Sequence, residues 1–412
     1  MKSPRQNRSI LLLFLVTLVA GVGLWFWLRE KPTPPPPPAP TLAPLGKAPD
    51  WNRLEQFQNT ISRDEFEKLL RTIYTKSDEA WQPWIELSEN HALIRTHAAD
   101  PEKTYRLAFS TEFKKSPTFG WKWTRASDLP PPPADKPLNG LHIALDPGHI
   151  GGEFALIEER ELIYGDHEPI REGEMTLITS LILAPKLEEL GAQVTLIRSR
   201  NEPITPLRPA DFQEISTARR EAEKYFYRTA EIHARAALVN EVIQPDFVLC
   251  LHFNASASPI PLPGQDFHLL LNGAYHDSEL AHDDERFQMI SKILSRVYRE
   301  ELPLAQAFAT TFPEITGLPA YQYPATNPFA LQIDNNPYLW ARNLLANRLY
   351  NCPVIFFEPY TMNSPDFIER HRLGDYEGTK LINGEEKLSL YREYTEAIVQ
   401  GLILRFEKKT AQ

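Results

Sequence analysis

Cysteine is scarce in this chain: two residues, Cys250 and Cys352, among 412. Two are too few for a disulfide scaffold, so the fold has to rest on an apolar core. Positive charge is also short. Forty-four Lys and Arg stand against 54 Asp and Glu, a formal net charge of −10. Phosphate binding needs a basic face, so nucleic acid is excluded as the main partner. No segment repeats, which excludes repeat architectures. What is present is the composition of a folded protein, 42% hydrophobic and 11% aromatic. The length allows two domains and a sizeable core.

One long apolar run occurs, at the N-terminus. Lys2, Arg5 and Arg8 precede the uncharged run Ile10 to Leu28, which would span ~28 Å as a helix, about one bilayer core. Trp25 and Trp27 suit a membrane interface. Residues 1–30 therefore read as a membrane anchor, with a cleaved signal segment as the alternative. Either way the chain is expected to leave the cytoplasm for the cell envelope. A single-pass anchor in residues 10–28 would leave the rest outside, in the periplasm. Residues 31–49 are a proline-rich linker. Its PTPPPPPAPTLAP stretch is expected to be stiff polyproline II, holding the rest of the chain ~40 Å from the membrane.

Residues 50–128 read as a small α+β domain. ISRDEFEKLLRTIYT opens with a capping box, Ser62 and Glu65. WIELSENHALIRT predicts a hairpin over Ser88-Glu89-Asn90, and TYRLAFS a further strand. No cluster of catalytic residue types marks this domain, and no role is assigned to it. LPPPPADKP breaks the chain again over 129–138. From 139 to 408 strands alternate with helices. The strands are LHIALD, QVTLIRS, DFVLCLHFNA, DFHLLLN and CPVIFFE. The helices are GEMTLITSLILAPKLEELG, about 217–242, LAHDDERFQMISKILSRVYREEL and SLYREYTEAIVQGLILRFEKK. Alternation implies crossover connections. The fold class expected is α/β, a mostly parallel sheet with helices on both faces.

Function in such sheets gathers at the carboxyl ends of strands. Three strands here end in residues that bind metal or move protons: DPGH gives His149, LCLHFNA gives His252, and VIFFEPY gives Glu358. Glu172 opens the helix after the first of these strands. Two imidazoles and one carboxylate suit zinc with one position open to water. A second carboxylate beside that water can act as general base. Each residue alone has a plainer reading. A His at a strand end is usually just hydrogen-bonded, and a Glu at a helix start usually just favours the helix dipole. A Glu ending an apolar run is rarer, because burial is costly unless it is paired.

IALDPGH, the E-x-x-x-x-L before LEELGAQVTLIRSR, RAALVN, LHFNAS and PVIFFEPY together resemble the zinc-dependent N-acetylmuramoyl-L-alanine amidases, the Amidase_3 family. The resemblance covers about 141–404. It implies a zinc amidase domain that hydrolyses the amide between N-acetylmuramic acid and L-alanine in peptidoglycan. Carried over by motif, His149, Glu172 and His252 become the zinc ligands and Glu358 the catalytic base. Peptidoglycan is the expected partner, with an activator protein as a further one. Two other functions stay open: an inactive envelope protein that binds peptidoglycan or a division partner, and a zinc hydrolase of another amide.

The sequence departs from the family in places. Ile150 stands between His149 and Gly151-Gly152. The loop to Glu172 is long and carries Glu153, Glu158, Glu159, Glu161 and His167. Any of these, or Glu174, is an alternative third ligand. In some relatives an inserted helix blocks the zinc groove. The loop at 153–165 and the added segment STARREAEKYFYRTAEIHARAALVN are the candidates here, with surface elaboration as the alternative. Residues 300–350 are a second enlargement. There Arg342 and Asn343 read as a polar helix face, with substrate contact as the alternative. No disulfide is expected. If His252 and Glu358 share one site on parallel strands, Cys250 and Cys352 differ by ~13 Å in height.

Overall fold

The computed structural model describes residues 41–112, 114–165, 168–256 and 260–407. The apolar run at 10–28 lies outside them. Among the described residues no helix is long and apolar enough to cross a membrane.

Ser62 caps α1 (Arg63–Leu69), its hydroxyl accepting from Glu65 N at 3.2 Å. The capping box is only half made. Glu65 turns its carboxylate to Arg296 at 3.0 Å and Arg299 at 2.7 Å instead. An ion pair across the molecule outweighs a local bond to one backbone N–H. β1 (Ile85–Leu87), β2 (His91–Arg95) and β3 (Thr104–Ala108) form an antiparallel sheet of three strands, with the hairpin over 88–90 as expected.

β4 (His142–Pro147) opens the main sheet. The short pair β5 (Glu161–Leu162) and β6 (Ile170–Arg171) leads into α2 (Glu172–Glu189), which runs through Pro185. Then come β7 (Gln193–Leu196), a helical stretch α3 over 219–243 that mixes α- and π-turns, β8 (Phe247–Leu251) and β9 (Phe267–Leu271). α4 (Asp283–Ser295), α5 (Tyr298–Thr316), β10 (Leu331–Gln332), β11 (Leu339–Ala341), α6 (Leu345–Leu349), β12 (Val354–Pro359) and α7 (Leu390–Phe406) complete the set used below.

The sheet order is β10-β11-β9-β12-β8-β4-β7. β7, β4, β8 and β12 run parallel, β9 runs antiparallel to β12, and β10 antiparallel to β11. The sheet is therefore mixed. β9 reverses because a loop, not a crossover helix, joins it to β8, so the chain is not carried back to the other end of the sheet before it enters β9, two places from β8. Alternate residues of the strands serve two apolar clusters. Ile143, Leu145, Leu249, Leu251, Ile355 and Phe357 face α2, α5 and α7, while Ala144, Val248, Cys250, Val354 and Phe356 face α3 and α6. Burial on both sides explains why these strands read as continuous apolar runs.

Two departures concern helices, while the cysteines lie as expected. The helix expected over LAHDDERFQMISKILSRVYREEL breaks at Arg296, whose φ is +54. The break aims the Arg296 guanidinium at Glu65, Thr60 O, Lys114 O and the Ser116 hydroxyl. That network ties residues 50–128 to the main sheet, and side chains such as Phe57, Ile73 and Trp81 share one apolar cluster with it. Arg342 and Asn343 do not lie on a helix face: residues 339–341 form β11, and Arg342 follows that strand, ahead of α6. Cys250 and Cys352 are both free and buried. Phe356, not Cys352, stands beside Cys250 in the register, as the expected difference in height requires.

Glu301 is buried on α5, where Val354 N donates to it at 2.9 Å. Burial pushes its carboxyl up to about 7, against the pull of Lys292 and of that N–H. Its folded pKa exceeds the ordinary value of 4.5. Its contribution to stability is then present below about 4.5 and is lost as pH rises through about 7. Glu301→Gln should be indistinguishable from the parent in its pH dependence below that window and gain on it across the window. Urea unfolding at a series of pH values measures this, and a constant difference would reject it.

Candidate metal centre

Register brings three strand ends level. Pro147 pairs with Leu251, and Leu251 with Phe357. The next residues are Gly148, His252 and Glu358. Strands β4 and β8 pass very close at this level. A Cβ on Gly148 would lie 2.4 Å from the His252 ring, so only glycine fits before His149. His149 has φ +56, uncommon away from glycine. Buried guanidiniums hold that turn from two sides. Arg235 donates to Pro147 O at 2.8 Å and His149 O at 2.7 Å, and Arg198 bridges Gly148 O at 3.4 Å and Gly173 O of α2 at 2.7 Å. Gly173 also permits contact: a Cβ there would lie 2.3 Å from Gly151 N. The start of α2 is thereby pressed against the loop that comes after His149.

Glu172, the first residue of α2, is buried between the two imidazoles. Its Oε2 is 3.1 Å from His149 Nε2, and its Oε1 is 3.0 Å from His252 Nδ1. The three ligand atoms lie within 4.8 Å of one another. Burial alone would raise the Glu172 carboxyl, but His149 and His252 hold it well below its ordinary range. Burial alone would lower His149. Glu172 and Glu158 outweigh it and bring the imidazole up to about 9.

The alternative acids go elsewhere. Glu174 pairs with Arg171 at 3.2 Å and Glu161 with Arg171 at 2.6 Å, while Glu159 pairs with Arg220 and Arg228. Glu153 is exposed, and His167 lies outside the described residues. Glu158 is different. It is buried, accepts from Ile150 N at 2.9 Å and Gly151 N at 3.1 Å, and faces His149 Nδ1 at 3.5 Å. A carboxylate behind an imidazole fixes its tautomer and leaves the other nitrogen free to ligate. Arg160, from the same loop, reaches two of the candidate ligands. Its Nε is 3.0 Å from Glu172 Oε2 and 3.2 Å from His149 Nε2. The guanidinium stands as a cation between two of the three donors. Two nitrogens and one oxygen around a point that already accepts positive charge are a fit for a divalent ion of zinc type.

A cavity of about 370 Å³ opens over this group, with His149, His252, Glu358 and Arg342 in its wall. α3 supplies Tyr227, Arg228, Ile232 and Arg235, and the start of α6 supplies Leu344, Leu345 and Ala346. Phe356 stacks on the His252 ring at 5.0 Å. Glu358, two residues on, opens to the cavity from the same face of β12. Burial raises its carboxyl, with the Glu172 charge adding and His252 and Arg160 opposing.

No family model matches the sequence, and no curated protein matches it. Solved structures do match. The chain is 17% identical to the N-acetylmuramyl-L-alanine amidase Ami1 from Mycobacterium abscessus, over 65% of this chain and 99% of that one, with a TM-score of 0.38. It is 14% identical to the CwlD amidase from Clostridioides difficile, solved in complex with the GerS lipoprotein, over 65% and 98%, with a TM-score of 0.39. It is 14% identical to the amidase AmiC2 of Nostoc punctiforme, over 66% and 99%, with a TM-score of 0.37. At these scores the likeness carries no weight, and the chemistry of the centre has to speak for itself.

Sequence reasoning missed Glu158 as a support, Arg160 as an intruder and Arg235 as a clamp. RAALVN contains Arg235, and an arginine opening an otherwise apolar helical run was the available signal. Two substitutions should move metal affinity in opposite directions. Glu158→Gln should weaken it ~10–100-fold, the usual effect of losing such a support. Arg160→Met should tighten it, because a competing cation is gone. Competition against a fluorescent chelator measures both, and a shift of the same sign in the two variants would refute the assignment.

Proposed function

We propose that the chain is a zinc-dependent N-acetylmuramoyl-L-alanine amidase. The observation that carries this reading is one cavity holding both halves of a hydrolytic site. His149 and His252 in its wall, with Glu172 buried between them, are a group that could hold a metal ion, and Glu358, a carboxylate whose proton affinity burial raises, lines the same cavity. His149 Nε2, His252 Nδ1 and one Glu172 oxygen would hold the ion. Bound zinc supplies Lewis-acid polarisation of the scissile carbonyl and makes water acidic enough to lose a proton near neutrality.

Glu358 does the proton work. Its carboxylate takes a proton from the attacking water and returns it to the nitrogen of the leaving L-alanine, so that the C–N bond breaks to give an acid and an amine. Burial favours this role, because a raised pKa makes the carboxylate a better acceptor at neutral pH. Glu158 keeps His149 turned so that Nε2 faces the ion. Tyr227, Ile232, Leu344 and Leu345 line the groove with apolar surface, which suits a chain of sugar and peptide lying across it. The apolar run at 10–28 would anchor the protein, and the proline linker at 31–49 would carry the hydrolase to peptidoglycan outside the cytoplasm.

Purified protein incubated with peptidoglycan should release stem peptides bearing a new N-terminal alanine. A chelator should stop the release, and zinc should restore it. Glu358→Gln should keep the metal and lose turnover by ~10²–10⁴. Mass spectrometry of the soluble products decides the matter. No alanine-ended peptide from the zinc-loaded parent would end this reading, and near-normal hydrolysis by Glu358→Gln would remove Glu358 from the mechanism.

A further inference from the structure

Four arginines line the cavity, and three have carboxylate partners. Arg160 is on Glu172, Arg228 on Glu159, and Arg235 on Asp146 and Glu231. Arg342 has none among the described residues. Its one side-chain hydrogen bond is a long one, Nη1 donating to the Tyr323 hydroxyl at 3.4 Å. In a chain with ten more acidic than basic groups, a half-buried arginine without a counter-ion is conspicuous. Leaving a guanidinium partly desolvated and unpaired costs free energy that a carboxylate entering the cavity would recover.

Its backbone is held at the edge of the sheet pairing. Arg342 N donates to Leu271 O at 2.9 Å, which extends the β11–β9 pairing by one residue. Tyr323 OH in turn lies 3.2 Å from His268 Nε2, and the His268 ring stacks on Tyr321 at 4.7 Å. His268 faces Glu358 directly across the β9–β12 register. Burial, with Arg342 adding, brings the His268 imidazole down to about 3, so it is neutral near pH 7. The props behind Arg342 are therefore uncharged, and its positive charge is left for the cavity. An arginine fork is matched to a carboxylate, which it binds through two parallel N–H bonds.

We propose that Arg342 is the specificity residue of the cavity, binding a carboxylate on the peptide side of the substrate so that stems with free acid groups are taken over stems with carboxamides. This rests on the amidase reading and adds to it the charge of the substrate. The acyl amide being cleaved is itself neutral, so the carboxylate belongs to the peptide beyond the first residue.

The test compares two muropeptides that differ only in that group. One is N-acetylmuramoyl-L-alanyl-D-glutamic acid. The other carries carboxamides in place of its free carboxylates. Zinc-loaded Glu358→Gln protein, which should bind without turnover, is titrated calorimetrically with each. The acid form should bind ~10–100-fold tighter, the range for a hydrogen bond to a charged group. Arg342→Gln in the same background should erase that ratio, and Arg342→Lys, which keeps the charge without the fork, should retain part of it. A merely structural role would weaken both ligands alike and leave the ratio unchanged. An unchanged ratio in Arg342→Gln, equal affinities in the parent, or binding of neither ligand overturns the proposal. Turnover by the Glu358-bearing enzyme is read separately. Failure to cleave either compound would sink the amidase reading, while the binding ratio still decides Arg342.

Discussion

The Arg235 guanidinium donates to Glu231 Oε1 at 2.7 Å, Asp146 Oδ1 at 2.8 Å, Pro147 O at 2.8 Å and His149 O at 2.7 Å. It is buried, and two carboxylates neutralise it, so the charge is satisfied where an unpaired one would cost several kcal/mol. The two carbonyls belong to the turn that carries His149. Asp146 also accepts from the Tyr350 hydroxyl at 2.6 Å, which brings the segment before β12 into the same network. One side chain thus fixes α3 against the end of β4 and sets the left-handed backbone of His149. The wall of the groove and the first ligand are held by the same bonds.

The loop after His149 acts on the centre in two opposed ways. Glu158 stands behind His149, and Arg160, two residues later, lies against the Glu172 oxygen and the His149 nitrogen from the front. Both effects come from one short segment that an apolar cluster pins to α3, through Ile150, Phe154 and Ile157 against Phe226 and Tyr227. The two contacts share a backbone. A metal ion held by these residues would have to compete with the Arg160 guanidinium for the same donor atoms, whereas the Glu158 carboxylate would favour either cation.

The strands were legible because burial on both faces leaves continuous apolar runs, and their ends were legible because polar residues such as His252 and Glu358 interrupt those runs abruptly. The reversal of β9 was not legible: DFHLLLN looks the same in either direction, and only the connection before it decides. The break at Arg296 was hidden for a similar reason. An arginine in a helical pattern looks like a surface residue until its partners, Glu65 and Thr60, prove to be far away in sequence. Glu158 and Arg160 were two charges in an acidic loop, and spacing could not say which would turn inward. Arg342 read as part of a polar helix face, whereas the three residues before it are drawn into a strand by pairing with β9.

β12 lies in the middle of the sheet, between β8 and β9, yet it is the last strand of that sheet to be synthesised. Until residues 354–359 leave the ribosome, β8 and β9 have no partner at their centre, and His252 has neither the Phe356 ring nor Glu358 beside it. The sheet cannot close from its N-terminal end by adding strands in order. Pairings over more than a hundred residues of chain make assembly slow. Glu358 is therefore the last of the four residues to join the cavity, and it does so only when most of the chain has been made.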